Sequence, residues 1–236
     1  MNKILITLSL LIGLSCGLFG QNKKRVSVSL YAFEYADGHK TVFLTDKKDK
    51  AQEVRLSRAN ILGPFETTLD DDSKVSIRTS ATSADGQIIY PPIVSVKIPA
   101  RMKQPLLVLV PAAGREPYKA IILDRAIMNF PKGSYKLINF SPHDIRGLVG
   151  KTKIAAATKK ITAFNPSRNS ESLLDVHFQY RRPSDWKTFG RTRWENEKEK
   201  RSLLCAFLDP KTKRMKIRGL VVKPIAPTNE KAQTSL

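Results

Sequence analysis

The segment RVSVSLYAFEYA, residues 25–36, decides the fold that this sequence predicts. Val28 and Leu30 fall on one face of an extended chain, because successive side chains of a strand point to opposite sides. Tyr31 and Phe33 fall on the other face. Apolar residues on both faces predict a strand that is covered on both sides.

Further short apolar segments follow, bounded by Gly, Pro and Asp turns and spaced at intervals of about ten residues. They lie at residues 41–45, 53–57, 64–69, 74–80, 87–98, 105–110, 118–123, 134–140, 145–149, 161–164, 174–180, 201–208 and 214–222. Many short strands at regular spacing are typical of a sandwich or barrel. We therefore predict an all-β fold after an N-terminal signal helix, an antiparallel β-sandwich built as one large or two small sandwiches.

The domain organisation follows from composition. The chain has 236 residues and a mass of 26.5 kDa, enough for one substantial domain or two small ones. We predict a signal peptide at residues 1–20, an N-terminal β-sandwich region at 21–111, a C-terminal β-sandwich region at 112–223 and a disordered tail at 224–236. Residues 112–117 are the predicted linker, and no exact internal repeat is present in the sequence.

The first twenty residues predict export. One lysine precedes an apolar run at residues 4–14, which is the plan of a secretory signal peptide and is shorter than the roughly 20 residues that cross a bilayer. Cleavage after Gly20 would release the protein into the periplasm or the extracellular medium. Lipidation of Cys16 is the alternative, and it would give the only membrane attachment that we expect. It fits less well because Gly13 lies where lipoprotein signals have a large aliphatic residue.

Cleavage leaves Cys205 as the one cysteine of the mature chain, so we expect no internal disulfide. Cys205 lies in an apolar, strand-like run, residues 203–208. We therefore predict that it is a buried small hydrophobe and not a reactive thiol.

Charge gives the clearest functional signal. The chain has 41 Lys and Arg against 21 Asp and Glu, a net charge of +20. Residues 151–200 have twelve basic and six acidic side chains and residues 201–236 have eight and two, whereas residues 61–100 have three and five. An exported basic chain predicts an anionic partner, namely an anionic glycan, lipopolysaccharide or an envelope protein. Cytosolic nucleic acid is not an expected partner of an exported protein.

Two basic segments, residues 180–194 and 214–219, are the candidate binding site. Guanidinium groups pair with phosphate, sulfate and carboxylate, and aromatic rings offer stacking faces. The predicted polyanion-binding residues are Arg181, Arg182, Trp186, Lys187, Arg191, Arg193, Trp194, Arg214, Lys216 and Arg218. A second interpretation stays open: the arginines protect an edge strand from unwanted pairing while the aromatic residues pack inward.

The motifs of common catalytic sites do not occur in the sequence. The three histidines, His39, His143 and His177, are far apart, and residues 70–72 are a run of aspartates without calcium-loop spacing. Residues 141–144, SPHD, predict a turn, because adjacent side chains in a turn rarely face one another as a triad requires. We therefore expect a non-catalytic protein without a metal site or a cofactor.

Residues 133–150, GSYKLINFSPHDIRGLVG, resemble a strand–turn–strand motif of uncharacterised secreted β-sandwich proteins of the bacterial envelope. The resemblance implies an exported all-β protein and transfers no catalytic residue. Its asparagine, Asn139, is expected to bond the turn backbone.

The basic segments, together with the lack of a catalytic motif, favour binding of polyanionic envelope or extracellular material as the function. The alternatives are an envelope assembly component that pairs strands with a partner protein and, least favoured, a carbohydrate-active enzyme.

Overall fold

The computed structural model describes residues 24–46, 48, 50–166 and 172–225. These residues form strands, turns and loops, so the predicted all-β fold is confirmed. None of them forms a helix long and apolar enough to cross a membrane. The predicted signal peptide with Cys16 and Gly20, and residues 226–236 of the predicted tail, lie outside the described residues.

The N-terminal half forms two four-stranded sheets and a small hairpin. Its strands are β1 (Arg25–Ala32), β2 (Thr41–Thr45), β3 (Ala51–Arg55), β4 (Leu62–Thr68), β5 (Lys74–Arg78), β6 (Ala81–Thr82), β7 (Ile88–Ile89), β8 (Pro92–Lys97), β9 (Pro105–Pro111) and β10 (Tyr118–Asp124). Sheet 1 has the order β3-β2-β5-β8, sheet 2 has the order β10-β9-β1-β4, and β6 pairs with β7.

The C-terminal half forms two further four-stranded sheets. Its strands are β11 (Tyr135–Asn139), β12 (Ile145–Val149), β13 (Thr152–Ala156), β14 (Ile161–Phe164), β15 (Leu173–Arg181), β16 (Trp186–Glu195), β17 (Ser202–Leu208) and β18 (Met215–Val221). Sheet 3 has the order β14-β11-β17-β18, and sheet 4 has the order β13-β12-β15-β16.

Three hydrophobic layers hold the sheets in the order 1-2-3-4. One layer joins sheets 1 and 2, a second joins sheets 3 and 4, and a third joins the two inner sheets. Strand β1 is covered on both faces as predicted, with Leu30 in the first layer and Tyr31 in the layer between the halves. Cys205 also lies in that middle layer, where burial raises the pKa of its thiol to about 12. The prediction that Cys205 is buried is confirmed.

One sequence prediction about connectivity is wrong. The boundary between residues 111 and 112 lies inside a hairpin, because residues 112–117 turn the chain from β9 back into β10 of the same sheet. The halves therefore meet after Asp124. Residues 33–40, which include Asp37 and Gly38, cross between layers, since β1 belongs to sheet 2 and β2 to sheet 1.

The two halves have the same topology. In both, the first strand pairs in parallel with the second-to-last strand, β1 with β9 and β11 with β17. Sheets 2 and 3 correspond strand for strand, as do sheets 1 and 4, and only β6 and β7 lack a counterpart among the described strands. The structure thus contains a duplication that the sequence does not show.

Buried arginines join the halves. The Arg125 guanidinium donates to Ser29 Oγ and to the carbonyl oxygen of Lys223. Arg201 donates to the carbonyl oxygens of Arg125, at 2.6 Å, and Phe130, at 3.2 Å. Burial lowers the pKa of both guanidinium groups, because the charged form is poorly solvated there.

Candidate functional site

The outer face of sheet 4 brings together basic side chains from four strands. Residues directly opposite one another in an antiparallel pair share a face, so the register defines which side chains point outward. Val176 and Phe178 point into the core, and their neighbours on β15 therefore point out. The outward positions of sheet 4 include five basic residues, Arg146, Lys153, Arg181, Arg191 and Arg193, and two acidic residues, Asp175 and Glu195. We call these five cations, with Trp186 and His177, the basic face.

Trp186 is the centre of one end of this face. Its ring centroid lies 4.5 Å from the Arg146 guanidinium carbon and 5.4 Å from that of Arg181. Cation–π contacts of this kind hold guanidinium groups in place while their donors remain available to a ligand. Both acidic residues of the face lie at the far end of the hairpin, where Arg193 donates to Asp175 at 2.9 Å.

A polar network crosses the middle of the face. Arg146 Nε donates to Gln179 Oε1 at 2.7 Å, and Gln179 Nε2 donates to Thr188 Oγ1 at 3.3 Å. The ring of His177 lies 2.9 Å from the same hydroxyl, measured from Nε2. These bonds tie β12, β15 and β16 together and fix the direction of the Arg146 side chain.

The structure places four of the predicted binding residues on this face, namely Arg181, Trp186, Arg191 and Arg193. Sequence reasoning missed Arg146, Lys153 and His177. Alternation along β12 was a usable signal for Arg146, because it lies between two inward positions, Ile145 and Gly147.

Three predicted residues of the same hairpin lie elsewhere. Arg182 pairs with Asp185 through two bonds of 2.7 Å, which closes the β15–β16 turn and lowers the pKa of that carboxyl. Lys187 is opposite Tyr180, on the other side of the strand from the basic face. Trp194 points inward and stacks on Tyr135 with ring centroids 5.7 Å apart. This last arrangement is the inward packing of the alternative interpretation.

The basic residues near the last hairpin do not join the basic face. Arg218 donates to Glu34 at 2.8 Å and lies over the ring of Phe33, so it bridges the two halves. Lys216 pairs with Asp209 at the start of the β17–β18 turn, a contact that lowers the pKa of that carboxyl. Arg214 is exposed in the same turn. The predicted single patch is thus divided between separate surfaces.

A groove of about 760 Å³ opens between β16 and β18, the edge strands of sheets 4 and 3. Gly190 and Thr192 are the inward positions at the middle of β16, and their small side chains leave the groove open. Apolar core residues lie beneath them, including Phe178, Met215 and Ile217. Charged residues border the groove, namely Arg191, Arg193, Glu195, Glu197, Lys200 and Lys216.

The SPHD segment is a turn, as predicted. The Asn139 side chain donates to the carbonyl oxygens of His143, at 2.8 Å, and Ala156, at 3.0 Å. It accepts bonds from the backbone N–H and the hydroxyl of Ser141. Asn139 therefore bonds the turn backbone, as expected from the sequence. In the described part of the chain, no group of three or more His, Cys, Asp and Glu residues is placed to hold a metal ion.

Comparison of the chain with protein-family models and with curated proteins found no match.

Proposed function

We propose that this is an exported, non-catalytic protein that binds polyanionic envelope or extracellular material through the basic face. The observation that supports the proposal is the arrangement of Arg146 and Arg181 about Trp186. Here ordered guanidinium groups from two strands lie on an exposed sheet surface, away from the carboxylates of the same face. Planar guanidinium groups form paired bonds with phosphate, sulfate and carboxylate oxygens.

The spacing of the face suits an extended polymer. Neighbouring strands lie about 4.8 Å apart and outward residues on one strand recur every 7 Å or so, so the cations form a grid and not a single pocket. A grid of separate cations fits a chain with repeated anionic groups, such as an acidic glycan or lipopolysaccharide. Affinity for such a ligand should fall steeply with salt, because binding releases counterions.

A triple variant tests the proposal. Replacing Arg146, Arg181 and Arg191 by serine should weaken binding to immobilised heparin and lower the slope of log affinity against log salt by about 2 to 3, as expected for three lost ionic contacts. Affinity is measured by titration at several salt concentrations.

The matched control removes the same charge from the outward side of sheet 1, the corresponding sheet of the other half. Arg55, Lys74 and Lys97 lie there and are replaced by serine together. This control should keep most of the affinity and the salt slope. Equal losses in the two triple variants would show that net charge alone drives binding, and the proposal would then be wrong.

Strand pairing with a partner protein is the second candidate function, and the open edges of β16 and β18 favour it. Glycoside cleavage has less support. It needs two carboxyl groups that flank the bond being broken. The carboxylates at the groove border are Glu195 and Glu197, and Glu197 is ion-paired with Lys200.

A further inference from the structure

We propose that the groove between β16 and β18 binds an extended partner strand in which apolar and acidic residues alternate. This inference concerns the groove and the edge of β16, a different surface from the one proposed for polyanion binding, although Arg191 and Arg193 border both. It rests on three observations: two open strand edges, a gap in the inner side of β16, and the placement of positive charge along that strand.

The first observation is the pair of open edges. Strands β16 and β18 are each the last strand of their sheet, and no strand in the described ranges pairs with their free sides. An edge strand presents unpaired N–H and C=O groups that form a ladder with an added strand. At ten residues, β16 is long enough to pair with a typical strand along its whole length.

The second observation comes from the other half of the molecule. Strand β8 corresponds to β16, and both have a one-residue bulge at the same place, with Ile93 and Phe189 as the extra residues. The register makes Val94 and Val96 the counterparts of Gly190 and Thr192. The two valines are 4% and 8% exposed and close their sandwich.

Glycine and threonine at these two positions leave the corresponding space in the C-terminal half unfilled. Thr192 is exposed although it points inward. Apolar side chains of an added strand would enter this space above Phe178 and Ile217, which line the groove. Burial of apolar side chains would then supply the main driving force.

The third observation is the charge on the outward positions of β16. Arg191 and Arg193 lie on either side of inward Thr192. A strand added beside β16 would place residues opposite these arginines, where like charges destabilise pairing and opposite charges stabilise it. A second copy of β16 would set arginine near arginine, so the edge disfavours self-pairing and favours a strand with carboxylates at alternate positions.

The test uses labelled peptides and the whole protein. A capped peptide of about ten residues that alternates valine with glutamate is titrated by fluorescence anisotropy. It should bind, and a scrambled peptide of equal composition should bind about tenfold more weakly or worse, a loss of about 1.4 kcal/mol. A peptide N-methylated at alternate residues, which cannot complete the ladder, should lose as much. Failure of the first peptide to bind, or equal binding of all three, overturns the proposal.

A double variant tests the groove itself. The double variant Gly190→Val with Thr192→Val places valines where β8 has Val94 and Val96. It should weaken peptide binding about tenfold or more. A Cβ on Gly190 would lie 3.7 Å from the nearest Phe178 atom, an ordinary contact, and circular dichroism checks that the double variant keeps the fold. Thr82→Val, the same kind of change at an exposed position of β6 in the other half, is the control and should leave peptide affinity unchanged. An unchanged affinity of the double variant overturns the proposal.

Two further outcomes assign the groove to another occupant and also overturn the proposal. One is dimerisation of the protein alone, seen by sedimentation and abolished by the double variant, which indicates a second copy. The other is tight binding of a fatty-acid probe that the double variant loses, without any peptide binding. Heparin affinity of the double variant should match that of the unchanged protein, so failure of this inference and failure of the proposed function are distinguishable.

Discussion

The two halves of this protein share one topology but hold their corners differently. In the N-terminal half, the segment that crosses from sheet 2 to sheet 1 is held by the hydroxyl of Tyr118, which lies on a different strand, β10. It accepts from the Ala36 N–H at 2.9 Å and donates to the His39 carbonyl oxygen at 2.8 Å. In the C-terminal half, the segment that crosses from sheet 3 to sheet 4 is held by the side chain of Asn139, the residue directly before it. Burial also raises the pKa of Tyr118.

The halves also differ at their outer sheets. Sheet 1 is closed by Val94 and Val96, whereas sheet 4 has Gly190 and Thr192 at the corresponding positions. The same topology thus gives a sandwich with a filled interior in the N-terminal half and a sandwich that is open between β16 and β18 in the C-terminal half. Both surfaces that we propose for binding lie on the C-terminal half.

The largest expected effect concerns the corners. Asn139 makes four hydrogen bonds at a fully buried position, and Tyr118 makes two through its hydroxyl. Asn139→Ala should lower the free energy of unfolding by about 3 kcal/mol or more, because it leaves buried backbone groups unpaired. Tyr118→Phe should cost about 1 to 2 kcal/mol for the same reason.

Urea denaturation followed by circular dichroism measures both losses. Thr82→Val serves as the control for a change at an exposed strand position and should have little effect on unfolding. An equal or smaller loss for Asn139→Ala than for Tyr118→Phe would show that the two corners do not differ in the way that their hydrogen bonds indicate.

Much of this fold was predictable from local pattern. The bounds predicted for β2, β12 and β14 agree with the structure, because each is a short alternating or apolar run between turn residues. Strand β13 was missed because Ile154 is its only large apolar residue. Strand β16 was also absent from the predicted strands, because basic residues interrupt its apolar alternation.

The pairing of strands and the composition of the site were not predictable in this way. The parallel pairs β1–β9 and β11–β17 join segments far apart in the sequence, and no local feature records such a contact. The site depends on them: Arg146 reaches Trp186 only because β15 lies between β12 and β16 in sheet 4. Charge alone grouped Arg218 with the site, whereas its position opposite Cys205 directs it to the middle layer.

A second and smaller effect separates the two glycines that face Phe178. A Cβ on Gly147 would lie 2.6 Å from a ring carbon of Phe178, whereas a Cβ on Gly190 would lie at 3.7 Å. Gly147→Ala should therefore cost about 2 kcal/mol through overpacking, while Gly190→Ala should change the free energy of unfolding by less than about 0.5 kcal/mol. Chemical denaturation of both variants measures the difference. Equal costs would indicate that β16 packs as tightly as β12 and that the groove is closed in solution.

The smallest expected effect concerns the contact between the halves and depends on pH. Burial alone would raise the pKa of Glu34, but hydrogen bonds from Arg218 and Arg58 outweigh it and lower the pKa below its ordinary value of 4.5. A carboxyl group whose pKa is depressed by folding adds stability above its unfolded pKa, and this stability is lost as the pH falls through its folded pKa. Because Glu34 is about one-third exposed, its contribution should not exceed about 1 kcal/mol.

Glu34→Gln should therefore be less stable than the unchanged protein at pH 7, and the difference should shrink as the pH falls below 4.5. Denaturation at a series of pH values measures it. Arg58→Gln is the matched comparison. Arg58 is half-exposed, and its replacement leaves the contact between Arg218 and Glu34 in place, so the loss of stability should be smaller. If the loss of unfolding free energy in Glu34→Gln stayed constant down to pH 2, the contact would act through packing and not through charge. The attachment of the two sandwiches would then depend on their apolar middle layer and the buried arginines, since Arg218 would serve mainly as a flat group between Phe33 and Phe207.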